Sequence, residues 1–427
     1  MRLVLPPGHR SGSVLLPSSK SMAHRLLIAA AFAAHPVRIR CRGTSADIEA
    51  TARCLSALGA MAVRRADGYD VTPLPYEPGK GFVPRAGAGQ PAVLPCGESG
   101  STLRFLLPVT AALGVSAVFV REGRLPLRPL SPLREELERG GLRFREDGKN
   151  LFIEGKTNLD NYTVSGNISS QFVTGLLFAL AVSPGGGSLH VTGETESADY
   201  IRMTEQVLRA SGVRIVSRGG LRRVSGGIPF DFPPEVTAEG DWSQAAFFLA
   251  AGAMSPRGIC LSGLDTASLQ ADRRMAALMR LFGAAVSFRD KNVRIRRNFL
   301  RGQTVDVRQV PDLVPALAAV AAVSAGTTRI TGAARLRLKE SDRIATTAAM
   351  IRSLGGSAEE TEDGLVITGR EELSGGTVDS FGDHRIAMAA AAASAACRGR
   401  VTVLGAECTE KSYPGFWYDF AALEVER

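Results

Sequence analysis

The sequence has few of the spacings that mark metal and redox proteins. Its 427 residues include six cysteines and five histidines, and neither a Cys-x-x-Cys pair nor a His-x-x-x-His pair occurs. Such spacings are the usual signals of zinc sites and redox pairs. We therefore expect reduced cysteines and no metal site.

Long apolar segments are missing as well. No apolar run reaches the roughly 18–20 residues that a membrane-spanning helix needs, and the N-terminus lacks the apolar core of a signal peptide. Aromatic residues make up 6% of the chain and hydrophobic residues 45%. We expect a cytoplasmic protein with no membrane partner, whose mostly aliphatic core is divided over two or three domains.

Lysine is scarce, although the chain is basic. The net charge is +9, and 44 of the 51 cationic residues are arginines. Nucleic-acid binding, an acidic substrate and an arginine-biased composition would each give this charge. The bias explains most of it, and no aromatic RNA-binding motif supports a nucleic-acid partner. Because arginine is the default here, Lys20, Lys339 and Lys411 are informative, since they lie in dense polar clusters.

A helix that ends at a glycine and continues into a hairpin recurs at intervals of about 70 to 80 residues. The glycines are Gly59, Gly141, Gly212, Gly283 and Gly355. Glycine ends a helix well because it adopts the left-handed conformation. Three of the hairpins carry an Asp-Gly pair, a strong turn signal between alternating strands.

A polar cluster that opens an alanine-rich, apolar helix is the second recurring pattern. It occurs at 18–25, 96–108, 167–182, 240–253, 311–323 and 382–393. Helices that are apolar all round belong in a core. Their first N–H groups still need partners, which serine, aspartate and glycine supply as caps.

Two interpretations of these helix starts stay open when each is taken alone. The polar residues are caps, as in "LKESDRI", where Ser341 would cap the next helix. Alternatively, parallel buried helices bring several positive N-termini to one face, which attracts phosphates and carboxylates. Six starts in one chain favour the second interpretation. The repeat predicts an α/β protein with two similar lobes of three units each and an anion-binding cleft between them.

Ten segments resemble one family when they are taken together. They are "PSSKSMAHR", "CGESGSTLRFLLP", "RLPLRP", "SSQF", "ESADYI", "GDWSQAAFFLAA", "PDLVPALA", "LRLKESDRI", "FGDHRIAMA" and "KSYPGF". In this order and at this spacing they resemble the EPSP synthase (3-phosphoshikimate 1-carboxyvinyltransferase) family of enolpyruvyl transferases. The resemblance covers essentially the whole chain.

The resemblance implies a two-lobed inverted α/β barrel of six repeated units with buried parallel helices. Lobe 1 would comprise residues 1–16 and 236–427 on the phosphoenolpyruvate side, and lobe 2 residues 17–235 on the shikimate 3-phosphate side. The implied reaction gives 5-enolpyruvylshikimate 3-phosphate and phosphate, through a tetrahedral intermediate and without metal or organic cofactor. We expect a monomer that the family's inhibitor glyphosate inhibits.

The resemblance also implies roles for individual residues. Lys20 would contact both substrates. Shikimate 3-phosphate would be held by Lys20, Ser21, Arg25, Ser169, Ser170, Gln171, Ser197, Tyr200, Asp312 and Lys339. Phosphoenolpyruvate would be held by Lys20, Gly100, Arg128, Gln171, Arg343, Arg385 and Lys411. Asp312 would take the proton of the 5-hydroxyl, and Glu340, with help from Lys20, would protonate the methylene carbon.

Three positions depart from the family pattern. Ser19 replaces a glycine, Glu98 replaces an asparagine in the glycine loop, and Arg335 stands where many members have an asparagine that contacts shikimate. Two other functions compete with the one implied. The sister transferase that acts on a UDP-amino sugar usually has a cysteine in the loop that here reads "GRLPLRPL". A non-catalytic anion or nucleic-acid binder would use the charge alone.

Overall fold

The computed structural model describes residues 1–85, 90–158 and 160–426. The chain divides into two compact units. Unit 1 comprises Met1–Ser19 and Glu239–Arg427, and unit 2 comprises Lys20–Ala238. The expected lobes had their boundaries between residues 16 and 17 and between residues 235 and 236. Each boundary in the structure lies three residues later in the chain. The substrate assigned to each lobe stays a prediction.

The α-helices are numbered in chain order. They are α1 (Lys20–Ala31), α2 (Ala46–Leu58), α3 (Gly100–Leu113), α4 (Leu133–Arg139), α5 (Ser170–Val182), α6 (Ala198–Ala210), α7 (Trp242–Ala253), α8 (Arg274–Phe282), α9 (Val314–Ala321), α10 (Arg343–Ser353), α11 (His384–Ala393) and α12 (Phe416–Ala421). Short 3-10 helices cover Leu125–Leu127, Ala271–Arg273, Pro311–Leu313, Ala334–Leu338, Ser394–Ala396 and Ala406–Lys411.

The strands are numbered in the same way. They are β1 (Arg2–Leu5), β2 (His9–Leu15), β3 (Val37–Arg40), β4 (Met61–Arg65), β5 (Gly68–Thr72), β6 (Tyr76–Glu77), β7 (Gly81–Phe82), β8 (Ala92–Gly97), β9 (Ala117–Arg121), β10 (Arg143–Asp147), β11 (Asn150–Glu154), β12 (Asn161–Ser165), β13 (Gly187–Thr192), β14 (Ile215–Arg218), β15 (Leu221–Val224), β16 (Glu235–Thr237), β17 (Ile259–Ser262), β18 (Ala285–Arg289), β19 (Asn292–Arg296), β20 (Thr304–Asp306), β21 (Thr327–Thr331), β22 (Ser357–Glu360), β23 (Leu365–Thr368), β24 (Gly376–Asp379), β25 (Val401–Leu404) and β26 (Glu424–Glu426).

One arrangement of strands recurs in both units. In four sheets a parallel pair is joined through a buried helix: β8–β9 through α3, β12–β13 through α5, β20–β21 through α9 and β24–β25 through α11. In the first three of these a hairpin then extends the sheet antiparallel. In unit 2 the sheets have the orders β16-β3-β5-β4, β10-β11-β9-β8 and β12-β13-β15-β14. In unit 1 the orders are β18-β19-β17-β2-β26, β20-β21-β23-β22 and β1-β25-β24. A parallel pair needs a long crossover, and in those four sheets the buried helix supplies it. The parallel pairs β16–β3 and β17–β2 are formed by strands that are far apart in the chain.

The two crossings of the chain explain why unit 1 is discontinuous. Strand β2 lies in unit 1, but the helix that follows it, α1, lies in unit 2. Strand β16 pairs with β3 in unit 2, and the next helix, α7, lies in unit 1. Each crossing therefore falls between the first strand and the buried helix of a repeat.

The glycine pattern of the sequence is confirmed. Backbone φ is positive at all five repeat glycines, including 112° at Gly59 and 106° at Gly283. Hairpins follow each of them, such as β4–β5 with Met61 opposite Thr72. At Gly68, an added Cβ would lie 1.8 Å from the main-chain oxygen of Ile39, so this Asp-Gly turn requires glycine.

The apolar helices are buried, as their composition predicts. All residues of α7, α9 and α11 are buried, and these three helices pack on one another in unit 1. In unit 2, the residues of α1 and α5 that are not fully buried are Lys20, Ser21 and Gln171, all at the helix start. Across the described residues, no helix combines the length and the apolar character needed to cross a bilayer.

Candidate active site

In unit 2, the first turns of α3 and α5 are joined by side-chain hydrogen bonds. Gln171 donates from Nε2 to Oγ of Ser101 over 3.0 Å, and Arg104 donates to Oε1 of Gln171 over 3.2 Å. The helices approach closely because α5 carries Gly175. A Cβ there would lie 2.2 Å from the main-chain oxygen of Arg104. Ser169 caps α5 by accepting from the N–H of Gln171 at 3.2 Å, and Ser170 beside it is buried.

Arg25 is a buried cation at the start of α1. Its guanidinium is 2% exposed and donates to the hydroxyls of Thr204 and Thr174 and to the main-chain oxygens of Ser21 and Tyr200. No carboxylate within the described ranges pairs with it. Burial lowers the pKa of Arg25 to about 10. A buried cation held only by neutral oxygens is well suited to bind an anion.

The helix α6 brings two further candidates to this region. Ser197 is buried and occupies the N-cap position of α6 with a φ of 53°, a left-handed conformation that is uncommon outside glycine. Tyr200 lies one turn further on, and its main-chain oxygen accepts the 2.8 Å hydrogen bond from Arg25. The structure thus brings Arg25, Ser197 and Tyr200 into one neighbourhood.

Lys20 forms an ion pair that the sequence analysis missed. Its Nζ lies 2.8 Å from Oδ2 of Asp47, whose side chain is 6% exposed. Asp47 stands in the first turn of α2, which is capped by Ser45. The motif Ser45-Ala46-Asp47 is a helix-start signal of the same kind as the six others. Because α2 is not an apolar helix, the pattern of polar residues before apolar helices does not include it.

Gly100 is enclosed by two arginines. A Cβ added there would lie 2.7 Å from Nη1 of Arg104 and 2.9 Å from Nη1 of Arg128. The loop is held by Ser99, which accepts from the N–H of Thr102 and caps α3. A glycine flanked by two guanidinium groups at a helix N-terminus is a site where a small anion can approach the backbone.

In unit 1, three cations surround Asp312. Its carboxylate lies 2.8 Å from Arg343, 3.3 Å from Arg385 and 3.5 Å from Lys339. Burial alone would raise the pKa of Asp312, but the charges of these cations outweigh burial and hold the pKa well below its usual range. Asp312 is therefore ionised at any working pH.

Arg343 connects three carboxylates. Besides Asp312, it binds Oε2 of Glu340 at 2.6 Å and Oδ2 of Asp383 at 2.7 Å. The guanidinium is 2% exposed and Asp383 is fully buried. Burial would lower the pKa of Arg343, but Asp383, Glu340 and Asp312 raise it above its usual value. Asp383 also caps α11, so one residue fixes both the helix start and the arginine.

Two further candidate cations of unit 1, Arg385 and Lys411, lie on α11 or in the 3-10 helix that packs against it. Arg385 occupies the first turn of α11 and donates to the main-chain oxygen of Asp312 at 3.1 Å. Lys411 is buried at the end of a 3-10 helix that packs on α11.

The capping prediction for "LKESDRI" is wrong in one detail. Asp342 caps α10, and Ser341 instead donates to Asp383 at 3.0 Å, because the buried carboxylate is the stronger acceptor.

The sequence analysis also did not predict the buried carboxyl group of Asp272, as it did not predict that of Asp47. It is fully buried and accepts from Ser243 in the first turn of α7 at 2.5 Å. Burial raises its pKa to about 6, although the charge of Arg385 opposes this, and the carboxylate of Asp312 adds to it. The sequence signal was weak, because "LQADRR" contains no pattern that separates a buried acid from a surface one.

The three departures from the family pattern occupy different environments. Ser19 is buried, and its N–H donates to the main-chain oxygen of Glu239 at 2.6 Å. Glu98 is exposed beside the Gly100 loop. Arg335 donates to the main-chain oxygen of Arg308 at 3.0 Å. Across the described parts of the chain, no cluster of three or more His, Cys, Asp or Glu side chains has the arrangement of a metal site.

The fold is shared with solved enolpyruvyl transferase structures. An EPSP synthase from Acinetobacter baumannii superimposes with a TM-score of 0.79 at 24% identity, covering 100% of both chains. The enolpyruvyl transferase NikO from Streptomyces tendae gives a TM-score of 0.76 at 20% identity, covering 100% of this chain and 98% of that chain. The protein therefore has the fold of the enolpyruvyl transferases, and the predicted fold class is confirmed.

Sequence comparison specifies the family within this class. The family model described as EPSP synthase (3-phosphoshikimate 1-carboxyvinyltransferase) matches residues 4–420. A protein of that name from Clostridium kluyveri is 40% identical, with 98% of this chain and 96% of its own length covered. The relative from Clostridium acetobutylicum is 37% identical over 96% of this chain and 95% of its own length. The chain belongs to the EPSP synthase family, which confirms the resemblance drawn from the motifs.

Proposed function

We propose that the protein transfers the enolpyruvyl group of phosphoenolpyruvate to the 5-hydroxyl of shikimate 3-phosphate, which yields 5-enolpyruvylshikimate 3-phosphate and phosphate. It is thus a transferase of the shikimate pathway, which leads to chorismate and the aromatic amino acids. One observation carries the proposal. A relative named 3-phosphoshikimate 1-carboxyvinyltransferase is 40% identical to this chain over 426 residues.

In the proposed site, unit 2 supplies most contacts to shikimate 3-phosphate. Arg25 gives the phosphate a cation that has no carboxylate partner within the described ranges, and this supports its role. The other contacts come from Lys20, Ser21, Ser169, Ser170, Gln171, Ser197 and Tyr200. Asp312 and Lys339 of unit 1 complete the set. Hydroxyl and amide groups match a polyhydroxylated ring, because they both donate and accept.

Phosphoenolpyruvate is bound mostly by cations in this proposal, together with Gly100 and Gln171. Unit 1 supplies Arg343, Arg385 and Lys411, and unit 2 supplies Lys20, Gly100, Arg128 and Gln171. Planar guanidinium groups bind phosphate and carboxylate through paired hydrogen bonds. The flanking of Gly100 by two guanidinium groups supports this half of the site. Glyphosate, as an anion that competes for the same cations, would inhibit the protein.

The proton transfers are divided between Asp312 and a second group, Glu340 or Lys20. Asp312 takes the proton of the 5-hydroxyl as its oxygen attacks C2 of phosphoenolpyruvate, and Glu340 or Lys20 donates a proton to C3. Phosphate then leaves C2 while C3 returns a proton. The cations around Asp312 make it a weak base, but anionic substrates that bind Arg385 and Lys339 would offset their charge and strengthen it.

The remaining proposals concern partners and location. We propose a cytoplasmic monomer that needs neither metal nor organic cofactor and has no nucleic-acid or membrane partner. On this proposal, unit 1 corresponds to the phosphoenolpyruvate side and unit 2 to the shikimate 3-phosphate side. Size-exclusion chromatography with light scattering checks the monomer, and activity after extensive chelation checks the independence from metal.

A phosphate-release assay tests the proposed reaction. We expect release with both substrates present and none when either is omitted. Replacing shikimate 3-phosphate by UDP-N-acetylglucosamine tests the sister activity, which we do not favour because no cysteine stands in the 123–130 loop. The proposal would be contradicted if phosphoenolpyruvate released phosphate with the UDP-sugar but not with shikimate 3-phosphate. Release from phosphoenolpyruvate without any acceptor would also contradict it.

A further inference from the structure

A chain of buried polar groups connects α1, α2 and α3 in unit 2. Nδ1 of His24 lies 2.7 Å from Oγ1 of Thr51, which in turn lies 2.7 Å from Oγ1 of Thr102. None of these three side chains is exposed to solvent. Because burial removes water as an alternative partner, these groups depend on one another for their hydrogen bonds.

The hydrogen-bonded chain from His24 to Thr102 ends beside two groups of the candidate site. Thr102 lies 2.7 Å from Oγ of Ser99, which caps α3 immediately before Gly100, and 3.3 Å from the main-chain oxygen of Asp47. The carboxylate of Asp47 binds Lys20. A displacement of Thr102 would therefore reach both the lysine and the glycine loop.

Counting the protons assigns the direction of each hydrogen bond. The main-chain oxygen of Asp47 can only accept, so Thr102 uses its single hydroxyl proton towards Asp47 and Ser99. On this assignment Thr102 accepts from Thr51, whose proton is thereby used, and Nδ1 of His24 is the donor to Thr51. In this tautomer Nε2 carries no proton.

Two further features agree with the Nδ1–H form. Nε2 of His24 has no hydrogen-bond partner within the described ranges, and a proton there would be a buried donor left unsatisfied. Burial lowers the pKa of His24 to about 3, although the carboxylate of Asp47 opposes this. The ring also packs edge-on against Phe105, with a centroid distance of 6.2 Å, which limits its rotation.

We infer that His24 is a positioning residue, whose neutral Nδ1–H group donates through Thr51 and Thr102 and thereby orients the Asp47–Lys20 pair and the Ser99–Gly100 loop. His24 itself touches no reacting atom in this assignment. The inference rests on the proposed roles of Lys20 and Gly100.

Nitrogen-15 NMR of the imidazole groups tests the tautomer without any assay of activity. We expect a protonated Nδ1 and a bare Nε2 at His24, with no change between pH 5 and pH 8. A protonated Nε2, or a titration in that range, would overturn the assignment. Since this readout needs no substrate, it stands or falls separately from the proposed function.

Kinetics of isosteric variants test the positioning role. Thr51→Val removes the hydrogen bonds of Thr51 to His24 and to Thr102, and His24→Leu removes the donor. Each variant should lower kcat by about tenfold and change KM for shikimate 3-phosphate less than kcat. His24→Asn should recover most of kcat, because its amide places an N–H donor near the position of Nδ1. The matched control is Thr110→Val, on α3 like Thr102 and fully buried, whose hydroxyl has no partner within the described ranges. We expect wild-type kcat in this control.

The double variant His24→Leu/Thr51→Val shows whether His24 and Thr51 affect kcat through one hydrogen-bonded chain or independently of each other. If His24 acts through Thr51, the double variant loses no more kcat than the worse single variant. Additive losses, wild-type kcat in a folded Thr51→Val, or an Asn variant as slow as the Leu variant would each overturn the inference. Thr51→Val keeps side-chain volume, so it decides the question if His24→Leu fails to fold. An inactive wild type would contradict the proposed function instead.

Discussion

Nη1 of Arg343 lies 2.8 Å from Oδ1 of Asp312, and the same guanidinium holds two other carboxylates through its remaining nitrogens. The planar guanidinium carries its donors on three separate nitrogens, and each nitrogen here serves a different acid. The arrangement makes the proposed base, the proposed acid and the cap of α11 dependent on one side chain.

Arg343→Lys should therefore fail although it keeps the charge. A lysine has all its donors on one nitrogen and cannot reach all three acids at these positions. Asp312 would keep Arg385 and Lys339, but the contacts to Asp383 and Glu340 would not both be retained. We expect a loss of about 3 kcal/mol in the free energy of unfolding, the usual scale for breaking a buried ion pair, together with a loss of turnover. Urea denaturation and phosphate release measure these effects. The control is Arg337→Lys, whose partly exposed pair with Asp342 at 2.9 Å should matter little. Equal stability of the two variants would contradict the prediction.

Asp272→Asn should change how stability depends on pH. Burial raises the pKa of Asp272 to about 6, above the 3.8 of an unperturbed aspartate. The folded state therefore binds the proton more tightly, so the stabilisation is complete below pH 3.8 and is lost as the pH rises towards 6. Relative to the Asn variant, the wild type should lose about 2.5 kcal/mol between pH 4 and pH 7. Urea denaturation across this range measures it, and parallel curves for the two proteins would show that Asp272 does not titrate there.

Gly100→Ala should weaken phosphoenolpyruvate binding and inhibition by glyphosate. The new Cβ would lie 2.7 Å and 2.9 Å from the guanidinium groups of Arg104 and Arg128, which must move away. We expect a higher KM for phosphoenolpyruvate and a higher inhibitory concentration of glyphosate, measured from inhibition curves. Gly415→Ala is a suitable control, because its Cβ would make only ordinary contacts at 3.6 Å and 3.7 Å. Superimposable curves for Gly100→Ala and wild type would remove Gly100 from the site.

Arg25→Ala should reduce affinity for shikimate 3-phosphate. Loss of a charge-assisted hydrogen bond costs about 1.5–3 kcal/mol of binding free energy, which isothermal titration calorimetry measures directly. Thr204→Val separates the charge from its support, since it removes one partner of the guanidinium at 2.9 Å and keeps the cation. We expect a smaller loss in Thr204→Val. Unchanged affinity in a folded Arg25→Ala would place the phosphate elsewhere.

Asp312→Ala and Glu340→Gln should bind shikimate 3-phosphate but turn over about 10²–10⁴-fold more slowly, as expected for a positioned base or acid. Incorporation of solvent deuterium into the methylene group of phosphoenolpyruvate distinguishes the proton donor. If Glu340→Gln exchanges at the wild-type rate, Lys20 becomes the better candidate. The 2.6 Å contact of Glu340 with Arg343 makes this test informative, because that contact favours the ionised form over the acid.

Much of the fold was predictable because its signals are local. The left-handed glycine at Gly59, the cap at Asp383 and the apolar character of α9 depend on residues within a turn or two of each other. These short-range requirements appear in the sequence as turn pairs, caps and hydrophobic periodicity, and they recur often enough to show six repeats. The motifs at the helix starts identified the family for the same reason.

Which acids meet which cations was decided only by tertiary structure. Asp47 binds Lys20 across 27 positions, and Asp272 binds Ser243 across 29. Neither pair has a spacing that a helix or a strand imposes, so nothing local distinguishes these aspartates from surface ones. Ser341 shows the same limit. It was expected to cap a helix locally, but its hydroxyl donates to the carboxylate of Asp383, 42 positions away. The amino-acid sequence by itself determined the repeat, the helix starts and the family. Burial and long-range packing decided the partners and the protonation of the charged groups, because both depend on what the fold brings within hydrogen-bond distance and away from water.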